Sequence, residues 1–373
     1  MRILLVAPMP PPHGGMAVSS AAIVKGMGQY TDHAIEVVDI SVRWRKPMDM
    51  RPLRRLVGGS MHARSIIKEV MSKVGSFRPD VVEIANCGGI GPTLRDYILL
   101  RLLRRKRIPA VLTFHFGRIP AIFRKNNLEA KLVRLACSVA TCTVVLDAPS
   151  ETALKTIPGH PWVARRANFI DLQQLVAIGQ ERAPLETECD VVFVGWMARE
   201  KGIFELMRAV AEMPGVRLKF VGPLADETAA ELWKLAGDSL DRVEHVGPVT
   251  TERVYGIIAR ARVLALPSYT EAFPYVVLEA MALGKPVVAT TIAAIPEILH
   301  LNSGQPCGLG VGVGEVDTLK TALARLLGDK NLCRVMGDHG HERVRSHYTE
   351  SAVMPQVVEH WREVAEKGAG LIK

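Results

Sequence analysis

Short, continuous apolar runs alternate with longer segments in which apolar residues recur at helical spacing. Runs without polar alternation are typical of strands that are covered on both faces of a parallel sheet. We expect strands at 3–7, 35–40, 81–84, 111–114 and 143–146, and then at 191–194, 218–221, 242–246, 263–266 and 287–290. Helical spacing at 18–27, 61–74, 204–212, 227–235 and 251–261 completes a repeated β-α pattern. The pattern predicts an α/β fold with two doubly wound parallel sheets.

The length of 373 residues exceeds what one hydrophobic core usually supports, so two domains are expected. The segment 171–190 is polar, contains Gly179 and Pro184, and precedes a new apolar run, which is typical of a linker. We therefore predict a first domain at 1–171 and a second at 186–345. A helix at 348–373, which contains Trp361, is expected to pack back on the first domain.

Two carboxylates, Glu271 and Glu279, lie eight residues apart between the apolar runs 263–266 and 287–290. The two apolar runs and the helical spacing between them predict one β-α-β unit. Ligands in sheets built from such units bind where the strands end. Carboxylates there can accept hydrogen bonds from sugar hydroxyls, which favours a polyol ligand. The alternative is that both glutamates are ordinary solvated charges on a helix face.

A second motif follows the first predicted strand of the second domain and contains Gly195, Arg199, Lys201 and Gly202. Gly195 permits a tight turn, and Gly202 precedes a helix whose N-terminus can face a phosphate. Arg199 and Lys201 add the positive charge that a departing diphosphate needs. The alternative is that they are two surface cations in a loop.

The segment 264–297 resembles the donor-binding signature of the retaining, GT-B-type nucleotide-sugar glycosyltransferases of family four (group 1). The resemblance implies that Arg199 and Lys201 bind the donor diphosphate, Glu279 the ribose and Glu271 the transferred sugar. It also implies that Gly195, Ala272, Phe273 and Pro274 belong to the donor site. Family members usually have glycine at the positions of Ala272 and Ala294, and we interpret both changes as packing variation.

The first domain offers a glycine pair, Gly14 and Gly15, in a loop between the first strand and the first helix. Glycines let backbone N–H groups approach a ligand, and the helix N-terminus carries partial positive charge. The family resemblance implies that this loop faces the donor phosphates and the acceptor, and that His115 lies near the reacting sugar. The alternative for His115 is a structural role, which is more common for a lone histidine at a strand end. His13 is a weaker candidate.

The resemblance further implies two Rossmann-like domains that face a central cleft, and retention of configuration through same-face attack. The sequence contains no Asp-x-Asp motif, so we expect no metal, and no cofactor beyond the nucleotide-diphosphate sugar as co-substrate. The acidic run Glu186-x-Glu188-x-Asp190 could bind a cation but is expected to be solvated. The acceptor is expected to be a glycan or a lipid-linked molecule in cell-surface polysaccharide or glycolipid biosynthesis.

Charge is distributed unevenly, with net +15 in residues 1–170 and net −6 in the remainder. The basic residues cluster at 43–46, 51–55, 101–107, Arg118 and 124–125, often beside apolar or aromatic residues. Such surfaces contact anionic lipid headgroups, so an anionic membrane is an expected partner. A solvated helix face at 101–107 is the alternative, and nucleic acid is not expected because no nucleic-acid-binding motif accompanies the charge.

The six cysteines form no Cys-x-x-Cys pair, and we interpret them as reduced core residues of a cytoplasmic protein. No apolar run is long enough to span a membrane, and 1–7 is better interpreted as a strand than as a signal peptide. The predicted location is the cytoplasm, peripherally on the inner face of the cytoplasmic membrane. A nucleotide-sugar epimerase remains the alternative enzyme, whereas a dinucleotide oxidoreductase is disfavoured because glycines at 88–91 and 308–314 lack Gly-x-Gly-x-x-Gly spacing.

Overall fold

The computed structural model describes residues 1–11, 14–42, 52–159, 162–181 and 187–371. The chain forms two compact units. The first comprises Met1–Asn168 and Glu350–Lys373, and the second comprises Phe169–Thr349.

The first unit is built on a parallel sheet that has six strands within the described residues, in the order β2-β1-β3-β4-β5-β6. Its strands are β1 (Arg2–Ala7), β2 (Ala34–Asp39), β3 (Val81–Asn86), β4 (Ala110–Phe114), β5 (Cys142–Val145) and β6 (Val163–Arg165). Its helices are α1 (Gly15–Gly26), α2 (Pro52–Phe77), α3 (Ile90–Arg105), α4 (Ile119–Lys125), α5 (Leu128–Val139), α6 (Ala148–Leu154) and α15 (Glu350–Leu371). Strands β3 and β4 are buried along their whole length, because helices cover both faces of the sheet.

The second unit has the strand order β12-β11-β10-β7-β8-β9, again parallel throughout its described strands. Its strands are β7 (Cys189–Val194), β8 (Leu218–Val221), β9 (Val243–Gly247), β10 (Ala261–Leu266), β11 (Val287–Thr290) and β12 (Gly308–Val311). Its helices are α7 (Leu172–Glu181), α8 (Ile203–Ala211), α9 (Asp226–Ala236), α10 (Thr251–Ala259), α11 (Tyr275–Ala282), α12 (Ile295–Ile298), α13 (Val316–Gly328) and α14 (Lys330–His347). Short 3₁₀ turns at Met27–Gln29, Arg199–Lys201 and Gly237–Arg242 complete the described elements.

The predicted fold class, two doubly wound parallel sheets, is confirmed. The observed units differ from the expected domain limits in the segment 171–190, which was expected to be a linker. Its residues Leu172–Glu181 form α7, and α7 packs on α10 and α11 of the second unit. The helix has an apolar stripe that includes the buried Leu175, so it belongs to a core and not to an extended connection.

Candidate functional site

Two loops of the second unit lie side by side at the point where the order of its strands reverses. Strands β7 and β10 are neighbours in the sheet, but the chain leaves β7 toward β8 and leaves β10 toward β11 on the opposite side. The loops that follow these two strands therefore lie at a topological switch point on the carboxyl edge, where doubly wound sheets bind their ligands. The two predicted donor-site motifs are these two loops.

The close approach of the loops depends on Gly202. This residue ends the 3₁₀ turn Arg199–Lys201 with a φ of 69°, and a Cβ atom on it would lie 2.0 Å from the carbonyl oxygen of Pro267. The N–H of Tyr269 donates to the carbonyl oxygen of Glu200 at 2.9 Å, which ties the loops together. Only glycine allows this packing, so the turn fixes the position of the residue before it, Lys201.

Lys201 and Glu271 form an ion pair across the two loops, with Nζ donating to Oε1 at 2.7 Å. The side chains are 29% and 11% exposed, so the pair is partly shielded from water yet still reachable. The structure thus brings together two residues that the sequence separates by seventy positions. One cation and one carboxylate side by side can bind a ligand that carries both phosphate and hydroxyl groups.

Arg199 is directed elsewhere. Its guanidinium bonds with Glu231 of α9 and lies over the ring of Phe204, 4.5 Å from the ring centre. The side chain is 65% exposed, so this ion pair is weak. The structure therefore does not place Arg199 in the Lys201–Glu271 pair, and Glu231 is a partner that sequence analysis missed.

Glu279 lies in the second turn of α11 and is bonded to the hydroxyl of Tyr255 on α10. Burial raises the pKa of this carboxyl to about 7, and the Tyr255 hydrogen bond only partly offsets that effect. Desolvation and the same carboxylate raise the pKa of Tyr255, so its hydroxyl remains protonated and donates. Tyr255 was also missed, because no local motif distinguishes it from other residues of an amphipathic helix.

The contacts of the remaining predicted donor-site residues of this unit are packing contacts and main-chain interactions within the unit. Ala272 and Phe273 are buried, and the Phe273 ring meets the Tyr348 ring edge-on at 5.5 Å. Pro274 is the N-cap of α11, and the N–H of Gly195 donates to the carbonyl oxygen of Val221 at 2.9 Å.

Ser268 follows β10 and is fully buried, and within the described residues its hydroxyl has no hydrogen-bond partner.

The first unit holds the other three candidates at the carboxyl ends of its strands. Gly14 and Gly15 are exposed in the loop after β1, and α1 begins at Gly15. His115 follows β4, and its main-chain N–H donates to the carbonyl oxygen of Asn86 at 3.2 Å. Burial, with a contribution from the charge of Arg166, lowers the pKa of His115 to about 4, so its imidazole is neutral at pH 7. His13 lies outside the described residues.

A buried polar cluster in the first unit was not predicted. The carboxylate of Glu83, in β3, accepts hydrogen bonds from Arg166, from the Thr113 hydroxyl at 2.7 Å and from the indole of Trp361 on α15. Burial alone would raise the pKa of Glu83, but the guanidinium of Arg166 and these hydrogen bonds outweigh it and lower the pKa to about 2. No local motif predicts this cluster, because its members lie far apart along the chain.

Two acids of the run 186–190, Glu188 and Asp190, are paired with basic neighbours, and Glu186 lies outside the described residues. Glu188 pairs with Arg260 at 2.7 Å, and Asp190 pairs with Arg217 and Arg262. Among the described residues, no three His, Cys, Asp or Glu side chains come together as metal ligands. All six cysteines are free thiols, and no described helix is long and apolar enough to cross a membrane.

The architecture is shared with solved glycosyltransferases of the GT-B class. Sucrose-phosphate synthase from Thermosynechococcus elongatus superposes with a TM-score of 0.79 at 19% identity, over 98% of this chain and 99% of that one. Anabaena HepE, solved in complex with UDP, superposes with a TM-score of 0.73 at 17% identity, over 97% and 100% of the two chains. The chain has the GT-B fold.

The family model that matches this chain lies within the second unit. The family described as Glycosyl transferases group 1 matches residues 188–329. The D-inositol 3-phosphate glycosyltransferase of Mycobacteroides abscessus is 36% identical over 37% of this chain and 31% of its own length. The lipopolysaccharide core biosynthesis glycosyltransferase of Rhizobium meliloti is 30% identical over 50% and 54%.

The chain thus spans about a third to a half of the length of these curated relatives. Residues 188–329 match the group 1 glycosyltransferase family, in agreement with the resemblance of the donor-site motif.

Proposed function

We propose that this protein is a glycosyltransferase that moves a sugar from a nucleotide-diphosphate sugar to a glycan or lipid-linked acceptor. The observation that carries the proposal is the Lys201–Glu271 pair, held at the switch point between β7 and β10 by the Gly202 turn. The named relatives are glycosyltransferases, and HepE has been solved with UDP and with UDP-glucose. These names support a nucleotide-sugar donor for this chain as well.

In the proposed reaction, Lys201 leaves Glu271 and meets the donor diphosphate, while Glu271 accepts hydrogen bonds from the transferred sugar. The leaving nucleoside diphosphate gains negative charge in the transition state, which a nearby ammonium stabilises. Arg199 is the second candidate cation, and it must exchange its exposed contact with Glu231 for the diphosphate. Glu279, in its carboxylate form, accepts hydrogen bonds from the ribose hydroxyls.

We further propose that the configuration at the anomeric carbon is retained and that Lys201 and Arg199 supply the charge stabilisation without a metal. The resemblance of the donor-site motif to retaining family members supports retention. The neutral imidazole of His115 can both donate and accept a hydrogen bond, which suits a group near an uncharged sugar. Gly14 and Gly15 leave open space over their backbone, which supports a ligand approaching this loop.

The proposed setting is cell-surface polysaccharide or glycolipid synthesis at the cytoplasmic face of an anionic membrane. The lipopolysaccharide relative supports this setting, and the net charge of +15 in residues 1–170 supports attraction to anionic lipid. The basic clusters at 43–46 and 51–55 lie outside the residues whose side chains the structure describes. The cluster at 101–107 is exposed at the end of α3, apart from its apolar residues.

The test is release of nucleoside diphosphate from UDP-, GDP-, ADP- and dTDP-sugars, with the purified chain and a Lys201→Ala, Glu279→Ala variant. We expect release from one donor and a loss of at least about a hundredfold in the variant. The matched control is Lys330→Ala, Glu227→Ala, which removes an exposed lysine and an exposed glutamate of the same unit and should leave release unchanged.

Four further measurements complete the test: epimer formation, donor binding, NMR of the product and activity in chelator. Conversion of the donor to an epimer without release, or neither release nor donor binding, would contradict the proposal. NMR of the anomeric proton in the product tests retention, and activity in excess chelator tests metal independence.

A further inference from the structure

Two neighbouring helices of the first unit, α3 and α5, expose large apolar side chains toward solvent. The helices pack on each other, and their exposed apolar residues are 40–58% accessible. On α3 these residues recur at intervals of four, and on α5 at an interval of seven, so each set lies on one helix face. The residues are Ile90, Leu94 and Ile98 on α3, and Leu128 and Leu135 on α5. We call this surface the α3–α5 face.

The outward face of a helix on a soluble domain is normally polar. Here the opposite faces of both helices already contribute to the core, through residues such as Leu99, Leu103 and Val133. The exposed apolar residues are therefore additional to those that the fold needs. Their concentration on two adjacent helices indicates a surface that contacts a partner.

The charge on the α3–α5 face has one sign. The α3 stripe continues into the exposed Arg101 and Arg105, and Lys131 lies between the two exposed leucines of α5. Each helix has one acidic residue, and both acids are engaged inside the unit. Asp96 is buried and paired with Arg95 at 2.7 Å, and Glu129 accepts from the N–H of Gly89 and from Arg118.

We propose that the α3–α5 face inserts its apolar side chains into an anionic lipid bilayer. This inference rests on the membrane contact proposed above and adds that the contact is apolar as well as electrostatic. Amphipathic helices that lie in a membrane interface combine large apolar residues with flanking Lys and Arg in this way. A second copy of the chain fits less well, because self-association would bring Arg101, Arg105 and Lys131 close to the same cations of the partner.

The experiment is flotation of the full chain with vesicles of phosphatidylglycerol and phosphatidylcholine (1:1), at low and high salt. An apolar variant carries Leu94→Gln, Ile98→Gln, Leu128→Gln and Leu135→Gln, which change only exposed positions. We expect its vesicle affinity to fall by about a hundredfold or more, and that of Leu128→Gln alone by about tenfold. The matched control Leu240→Gln changes a leucine of similar exposure in the second unit and should bind like wild type.

A charge variant with Arg101→Gln, Arg105→Gln and Lys131→Gln distinguishes apolar insertion from a membrane contact that is only electrostatic. If it loses binding while the apolar variant binds like wild type, the insertion is refuted and the general membrane contact stands. If the wild-type chain does not bind these vesicles, both are refuted. Light scattering that shows a wild-type dimer and a monomeric apolar variant would assign the face to a second copy and overturn the inference. Donor release in solution, which tests the glycosyltransferase proposal, should be unchanged in every variant of this set.

Discussion

Glu279 is a residue whose charge changes near neutral pH. Its pKa of about 7 lies well above the ordinary value of 4.5, because the carboxyl is desolvated between α10 and α11. If it binds ribose hydroxyls, the hydroxyls donate to the carboxylate form, so donor binding must lower this pKa. Donor affinity and the protonation of Glu279 are then thermodynamically linked.

We therefore predict that affinity for the donor identified by the release assay rises about tenfold from pH 6 to pH 8. Isothermal titration calorimetry in two buffers of different ionisation enthalpy should show proton release on binding near pH 6.5. The dependence should be absent in Glu279→Gln and retained in Glu227→Gln, which changes an exposed glutamate of α9. A Glu279→Gln variant with the wild-type pH profile would contradict the assignment.

The same pKa has a consequence for stability. A carboxyl whose pKa is higher in the folded state than in the unfolded chain binds its proton more tightly when folded. Its contribution to the free energy of unfolding is present at low pH and is lost as the pH rises from about 4.5 to about 7. If Glu279 binds ribose as proposed, this carboxylate is held at the expense of stability at neutral pH, which is common at functional sites.

Single residues also show what the sequence could and could not predict. The two departures from the family pattern, Ala272 and Ala294, were interpreted as packing variation, and the structure places both in the core with the N–H of Ala294 donating to the carbonyl oxygen of Ala272 at 3.1 Å. Tyr255 and Glu231 were not predictable, because each meets its partner through a contact between separate helices or loops. The sequence motif identifies the residues of the loops but not the side chains that neighbouring elements bring to them.

At the scale of elements, the turn at Gly202 determines where the two loops of the proposed donor site lie. We predict that Gly202→Ala lowers the free energy of unfolding by at least about 2 kcal/mol, from the clash with Pro267 and the unfavourable φ. Donor affinity should fall at least about tenfold, because the Lys201–Glu271 pair is displaced. Chemical denaturation and donor titration measure the two effects.

Gly215 provides the matched control for this substitution. It also has a positive φ, 76°, but a Cβ atom there would meet nothing within 4 Å. Gly215→Ala should therefore show only the conformational cost of about 1 kcal/mol, with donor affinity unchanged. Equal effects on donor affinity in the two variants would show that the loop contact at Pro267 is unimportant.

The elements themselves were largely predictable, since every strand that the apolar runs predicted is present. The strands that were missed, β6 and β12, are edge strands with weak apolar patterns. Gly308 of β12 illustrates the reason, because a Cβ atom on it would lie 2.0 Å from the carbonyl oxygen of Val287. This glycine is explained by close strand packing, a tertiary cause that local propensity does not show.

At the scale of the whole molecule, the chain passes from the first unit to the second and returns, so the first unit is completed by α15. Trp361 is fully buried there, and its indole donates to Glu83 in β3 across 278 positions of sequence. The C-terminal helix is thus joined to β3 of the first unit by a buried polar cluster. Because Arg166 compensates the buried charge of Glu83, loss of either partner leaves an unpaired charge inside the unit.

We predict that Glu83→Gln lowers the free energy of unfolding of the first unit by about 3–5 kcal/mol at pH 7, and Trp361→Phe by about 1–2 kcal/mol. The contribution of Glu83 is present above its ordinary pKa of 4.5 and is lost as the pH falls toward about 2, so the gap between wild type and Glu83→Gln should narrow in acid. Scanning calorimetry at pH 7 and pH 3 measures both effects. Trp233→Phe in the second unit is the control, and an equal loss of stability in that variant, or a gap that widens in acid, would refute the role assigned to the cluster.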